Sequence, residues 1–181
     1  MFIHSVLNQP AICEEFIEGR ELRVFIVGNR RLYVYPIREV VFGRLNNGGP
    51  KFLTAKIKTD DEYRKKSRIK FQRAALSEEL EEQVRDISKR IYRILGLRDY
   101  ARLDFRLTTL GDLYFLEANP NPSLIPNDVR SGEMFWYGSD YASTIARIAR
   151  LALQRCHQVA KPRERPKTGR LHTSAYGPFR S

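Results

Sequence analysis

The chain has 181 residues, 42% of them hydrophobic, and a formal net charge of +11. That length fits one domain with or without an appendage, and the apolar share is enough for a sizeable core, which excludes a wholly disordered chain. No run nears the ~18 apolar residues of a membrane span, "MFIHSVLNQP" has no basic leader with a long apolar middle, and Cys13 and Cys156 are too few and too distant for a disulfide framework or zinc knuckle, so a cytoplasmic location is expected.

Along the chain, Cys13 to Phe16 and then Glu21 to Val27 read as extended segments, punctuated by Gly19 and Gly28. In "ELRVFIVG", Leu22, Val24 and Ile26 alternate with Glu21, Arg23 and Phe25, which is strand spacing. Gly28-Asn29 signals a turn, and "RRLYVYPIREVVFG" reads as the next antiparallel strand. The polar, lysine-rich second half of "FLTAKIKTDDEYRKKSRIKFQ" reads as a surface loop. The clearest helix starts at Ser77, a good N-cap, with Glu78 and Glu79 suited to its positive end. Leu80, Val84, Ile87, Ile91 and Ile94 form its predicted buried stripe, and Gly96 stops it. A strand-turn-strand follows, then proline-rich "NPNPSLIPND". A second helix is expected from near Ser139, burying Ile145, Ile148 and Leu151 or Ala152. This order of strands and helices predicts an α+β fold, with helices packed on a mostly antiparallel sheet.

The positive charge is concentrated at one end. From Arg155 to Ser181 there are seven Lys and Arg against Glu164 alone, so this stretch supplies six of the eleven net charges. "KPRERPKTGR" has no apolar period, which predicts a domain over residues 1–155 and a basic, disordered tail over 156–181. The body is only mildly basic, and a nucleic-acid partner is not expected.

The strand-turn-strand "YARLDFRLTTLGDLYFLEANPNPSL" places Asp104, Glu117, Asn119 and Asn121 where an apolar strand ends. With Thr108 to Gly111 as a four-residue loop, Leu107 faces Asp112, Arg102 faces Glu117 and Asp104 faces Phe115. Alternation then puts Arg102, Asp104 and Arg106 on one face with Leu113, Phe115 and Glu117. Asp104 and Glu117 become a same-face diagonal pair, with Cα atoms about 7–8 Å apart. Together with the Asn119 amide oxygen they form an oxygen-only donor set, which suits Mg2+ rather than zinc. Such a sparse set expects phosphates and water to complete the shell. A second account stands beside this one: Asp104 pairs with Arg102 or Arg106 on a wet sheet face, and Glu117 simply ends a strand. A one-residue slip of the loop would also separate the two carboxylates.

These residues resemble the metal-binding hairpin of the ATP-grasp ligases, in particular the D-alanine–D-alanine ligase-like branch. Upstream, "EEFIEGRELRVFIVG" resembles that family's adenosine-holding hinge strand, and "LTAKI" with "RAALSEELEEQV" gives a weaker match at the expected order; together they span roughly residues 8–155. The resemblance implies the C-terminal lobe of an ATP-grasp domain and an ATP-dependent ligase that joins a carboxylate to an amine through an acyl-phosphate. It implies that Asp104, Glu117 and Asn119 hold Mg2+, with Mn2+ an acceptable substitute, and that Arg102 stabilises the acyl-phosphate and the tetrahedral adduct. The backbone of Glu15, Phe16 and Ile17 would read the adenine edge, Glu14 would accept its amino group, and Glu21 would bind the ribose hydroxyls. Lys56 would face the phosphates, although Lys58 is an equally basic neighbour and Glu14, Glu15 and Glu18 also suit a solvated turn.

The departures from that family are as informative. No glycine-rich hairpin lies upstream of Glu14, and "NNGGP" comes too late to replace it. The expectation is therefore an incomplete clamp that binds nucleotide weakly by itself, complemented by a second chain or by a homodimer. "NPNPSL" differs from the "N-x-x-P-G" ending common in D-alanine ligases, which leaves the small-molecule substrates at the level of a carboxylate and an amine. The contrasting class is a non-catalytic nucleotide-binding remnant whose basic tail contacts RNA or another anion.

Overall fold

The computed structural model describes residues 6–43, 60–125 and 140–160. In chain order its elements are β1 (Arg20–Val27), β2 (Tyr33–Val34), β3 (Arg38–Val41), α1 (Asp61–Lys66), β4 (Lys70–Arg73), α2 (Glu78–Ile94), β5 (Tyr100–Leu107), β6 (Leu113–Asn119) and α3 (Tyr141–Ala160). The strands form one antiparallel sheet ordered β4-β3-β1-β5-β6, with β2 pairing to the end of β1. This is the expected α+β arrangement.

β1 lies at the centre because both of its faces have something to bury against. Leu22, Val24 and Ile26 join Ala101, Leu103, Phe105 and Leu107 of β5 beneath Val84 and Tyr92 of α2. The opposite face changes character along its length. Near the end of β1, Phe25 and Val27 pack with Tyr35, Tyr100, and Ile148 and Leu151 of α3. Near its start, Glu21 and Arg23 are buried among charges.

Three expectations are corrected here. Cys13 to Phe16 do not form a strand; residues 8–18 are irregular and the ladder starts at Arg20. "RRLYVYPIREVVFG" makes two short strands rather than one, since Pro36 has no N–H to donate just after Tyr35 N bonds Phe25 O at 2.9 Å. The lysine-rich stretch is not a loop throughout: Asp60 caps α1 by accepting from Tyr63 N at 2.8 Å. Val40, Ile69 and Phe71 then make a small core of their own, bordered by Phe42 and Tyr63. Those apolar residues are too sparse among Lys and Arg to show a period, and their charged neighbours suit an edge strand.

α2 forms as its sequence predicts. Ser77 Oγ accepts from Leu80 N at 3.3 Å, the first turn is acidic, and Gly96 at φ +64° ends the helix. Its fully buried stripe is Val84, Ser88 and Tyr92, a spacing of four, and Ile94 is 80% exposed. Two residues on from Tyr92, Ile94 points about 200° away around the helix. α3 begins just after Asp140, whose Oδ2 accepts from Ser143 N at 2.8 Å; Ser139 lies outside the described residues. The helix runs on to Ala160, into the segment read as a tail, and residues 161–181 are outside the described set.

The turn after β1 requires glycine. Gly28 has φ +138°, and a Cβ there would sit 2.0 Å from Arg31 O. Its N–H donates to Asp99 O and its carbonyl accepts from the Tyr92 hydroxyl, both at 2.9 Å. Asp99 ties three elements together: its carboxylate accepts from Arg155 Nη2 at 2.8 Å and from Asn29 Nδ2 at 2.9 Å. Burial alone would raise the Asp99 carboxyl, but the bonds from Arg155 and Asn29 outweigh it and hold the group below the usual carboxylate range. A carboxyl lowered by folding stabilises above its unfolded value, about 3.9, and loses that contribution as pH falls through the folded value. Asp99→Asn, which tolerates the φ of +64° found here, should therefore cost about 1 kcal/mol at neutral pH. Urea unfolding should show the gap narrowing as the pH falls below the ordinary carboxylate range, about 3.9, and a gap independent of pH would mean the charge contributes nothing.

Candidate functional site

The charged end of the β1 face forms a lattice set by strand register. Glu21, Arg23 and Phe25 of β1 stand directly opposite Arg106, Asp104 and Arg102 of β5. On the other side of β5, Arg106 faces Tyr114, Asp104 faces Glu117 and Arg102 faces Asn119. Asp104 thus has Arg23 on one side, Glu117 on the other, and an arginine two residues away in each direction along its own strand.

The hairpin register differs from the expectation in an instructive way. Leu107 pairs with Leu113, so the loop is Thr108 to Asp112, one residue longer than predicted. Thr108 N closes it by donating to Asp112 O at 2.9 Å. That slip by itself would move Glu117 to the wrong face. A bulge after Phe115 reverses it. Leu113 consequently packs against the core, while Phe115 is paired with Phe105 and edge-on to it at 5.7 Å, half-exposed at the rim, rather than sharing a face with Arg102, Asp104 and Arg106. Glu117 regains the Asp104 face and sits directly opposite it, closer than the predicted diagonal pair, with Cβ atoms about 4.5–5.5 Å apart for such partners.

Asp104 is engaged by Arg102, through Nε to Oδ1 at 2.8 Å and Nη2 to Oδ2 at 2.9 Å. Arg102 Nη2 also stands 3.9 Å from Glu117 Oε1. Asp104 and Arg102 are nearly buried, whereas the Glu117 side chain is 63% exposed. The arginine–Asp104 pair of the second sequence account is present, with Arg102 as the partner, but it is buried rather than on a wet face. It does not displace the donor set, because two carboxylates and the Asn119 oxygen still face one side. Asn119 Oδ1 is oriented by the Asn121 N–H at 3.0 Å, and Asn121 in turn accepts from the Tyr100 hydroxyl. Asn121 is thus a brace for the chain leaving β6. Among the described residues no three His, Cys, Asp or Glu side chains cluster. The oxygen donors fit a hard cation only if further oxygens come from outside the protein.

A cavity of about 450 Å³ opens over this lattice, lined by Glu14, Glu15, Ile17, Glu21, Asp104 and Glu117 among others. Six of the residues singled out from sequence thus meet at one cavity, although they come from an irregular segment and three strands. Phe16 does not line it; its ring lies under the Arg106 guanidinium at 5.2 Å. Lys56 and Lys58 fall outside the described residues. Arg23, Arg106 and the rim residues Tyr114, Phe115 and Leu116 also line the cavity; from sequence Arg106 is weighed only as a partner of Asp104, and Arg23 has no role. Alternation could have found the arginines, since Arg23 shares the parity of Glu21 and Arg106 that of Asp104. Arg106 donates to Gly19 O at 3.0 Å and pairs with Glu21 Oε2 at 3.3 Å, so it holds the Glu21 carboxylate at the cavity wall.

Comparison with known proteins places these features in a lineage. A family model described as D-ala D-ala ligase C-terminus matches residues 5–149. The D-alanine--D-alanine ligase of Desulfotalea psychrophila is 31% identical over 142 residues, covering 78% of this chain and 42% of that protein. The chain thus spans about two fifths of that relative's length. Among solved structures, D-alanine--D-alanine ligase from Bacillus anthracis complexed with ATP aligns with a TM-score of 0.59 at 19% identity, over 81% of this chain and 42% of that one. VanG D-Ala:D-Ser ligase from Enterococcus faecalis aligns at 0.56 and 20% identity, over 76% and 37%. At these identities the structural likeness speaks for the fold. No helix among the described residues is long and apolar enough to cross a membrane.

Proposed function

Since the chain belongs to the D-ala D-ala ligase C-terminus family and carries the C-terminal part of an ATP-grasp fold, we propose that it supplies the nucleotide- and metal-binding part of an ATP-dependent carboxylate–amine ligase. The observation that carries this reading is the direct opposition of Asp104 and Glu117 at a cavity walled by Glu14, Glu15, Ile17 and Glu21; Arg102 and Asn119, paired with each other across the same strands, adjoin the two carboxylates without lining the cavity.

In the proposed site Asp104, Glu117 and Asn119 hold Mg2+, with Mn2+ as a substitute, and the ion supplies neutralising charge beside the ATP phosphates. Glu15 to Ile17 run past the cavity outside the sheet, which suits backbone contact with the edge of a base. Glu14, at the cavity wall, would accept the base amino group. Glu21, held by Arg106, would bind the ribose hydroxyls. Arg102 puts a fixed guanidinium at the acidic end, where charge develops as a carboxylate becomes an acyl-phosphate and is then attacked by an amine, giving an amide, ADP and phosphate. Phosphoryl transfer asks for positioning and charge rather than a protein nucleophile, and this face consists of charge held in register. The names of the relatives suggest D-alanine-like substrates; the assignment here is kept at a small carboxylate and a small amine.

Calorimetric titration of ADP into the 181-residue chain tests the reading. Binding should be at least tenfold tighter with Mg2+ than without. Absence of binding, or equal affinity with and without the ion, would overturn it.

A further inference from the structure

A second cavity, of about 700 Å³, lies beyond the other end of β1 and is lined by Arg30, Arg31, Arg93, Arg98, Arg147 and Arg155 among others. Three segments distant in sequence meet there: the turn after β1, the end of α2 with the turn that follows it, and α3. No acidic side chain lines the cavity among the described residues. Asp99 adjoins it and is committed to Arg155 and Asn29. Arg147 lies over the Tyr33 ring at 5.2 Å. Arg30, Arg31 and Arg93 are exposed and have no ion pair among the described residues. Arg155 Nε, buried, has no hydrogen-bond partner there.

Six guanidinium groups around one hollow repel each other, and the fold spends little on screening them. The end of α2 contributes only partial negative charge, so most of the field remains for a ligand. The chain's own C-terminal stretch cannot supply it, having seven Lys and Arg against a single acid from residue 155 onward. We propose that this hollow binds a small anion carrying several phosphates in a short chain. Guanidinium forks match phosphate oxygens in pairs. The volume falls within the usual range for small-molecule sites, and a phosphate chain packs the most negative charge into it. The site is separate from the acidic hairpin: it lies at the opposite end of β1 and shares no lining residue with the first cavity.

Inorganic tripolyphosphate, titrated into the full chain at about 0.15 M salt without divalent metal, is the probe, since at that ionic strength distant surface charges are largely screened. The chain should bind it, and the variant Arg30→Gln, Arg31→Gln, Arg93→Gln should bind at least tenfold more weakly. Lys65→Gln, Lys66→Gln, which removes exposed charge from α1, should change affinity less than twofold. Arg31→Glu alone, at an exposed position, guards against misfolding of the triple variant and should also weaken binding at least tenfold, with an unchanged melting curve. Equal loss in the lysine control would reduce the effect to net charge and overturn the proposal. So would citrate binding as tightly as tripolyphosphate, or retention of single-stranded RNA with no tripolyphosphate binding.

Discussion

The double variant Asp104→Asn, Glu117→Gln should lose Mg2+-dependent ADP binding by at least 100-fold. Both residues are oxygen donors on one face of a two-stranded ladder and stand directly opposite each other. Converting both to amides leaves the shape and removes two formal negative charges, so a divalent cation no longer has reason to settle there. Asp104→Asn also strips Arg102 of its bidentate partner, so a change in stability is expected with it. Glu117→Gln separates the two effects, because that side chain is 63% exposed. The single variant should melt as the parent does and still bind Mg2+–ADP more weakly by about tenfold, roughly 1.4 kcal/mol. Calorimetry of the parent, the single and the double variant makes the comparison. Unchanged affinity in the double variant would remove the hairpin from the nucleotide site.

Arg102→Met should destabilise the chain by about 3 kcal/mol, at the lower end of what breaking a buried ion pair costs. Asp104 is 6% exposed, and both of its oxygens accept from Arg102 within 2.9 Å. The variant leaves a buried carboxylate with one strong partner removed. Arg23, directly opposite on β1, keeps the loss from being larger. The double change Arg102→Met, Asp104→Leu should recover most of the stability, since replacing both members of a buried pair by apolar groups is often neutral. A urea-melt double-mutant cycle reads this coupling directly. If the double change is as unstable as Arg102→Met, the pair is not what holds this face.

These two experiments address different states of the same residues. The Arg102–Asp104 pair lets β5 carry a carboxylate into the sheet without a bound cation. Glu117, exposed and 3.9 Å from Arg102, is the member that the proposed cation would engage first. In the proposed site the ion would have to compete with a guanidinium, so the outer oxygens of a phosphate chain would be part of the affinity.

Where a signal was local, the sequence carried it. Ser77, the acids behind it and Gly96 bound α2 because caps act on their own helix. The alternation of "ELRVFIVG" marked β1, and the two acids and the amide at 104, 117 and 119 singled out the hairpin. Together with the hinge segment they also carried the family. Tertiary structure decided what local pattern cannot reach. The bulge after Phe115 depends on how the longer loop, the core-packed Leu113, the Phe105–Phe115 pairing and the charged face are reconciled across two strands, and it turned a predicted diagonal pair into a direct one. Ile69 and Phe71 count as core only because Val40 stands beside them, with Tyr63 at the border. The six arginines of the second cavity lie in three stretches separated by some sixty and fifty residues. Single-sequence periodicity sees one element at a time, and the convergence of charge from distant elements exists only once the sheet has brought their ends together.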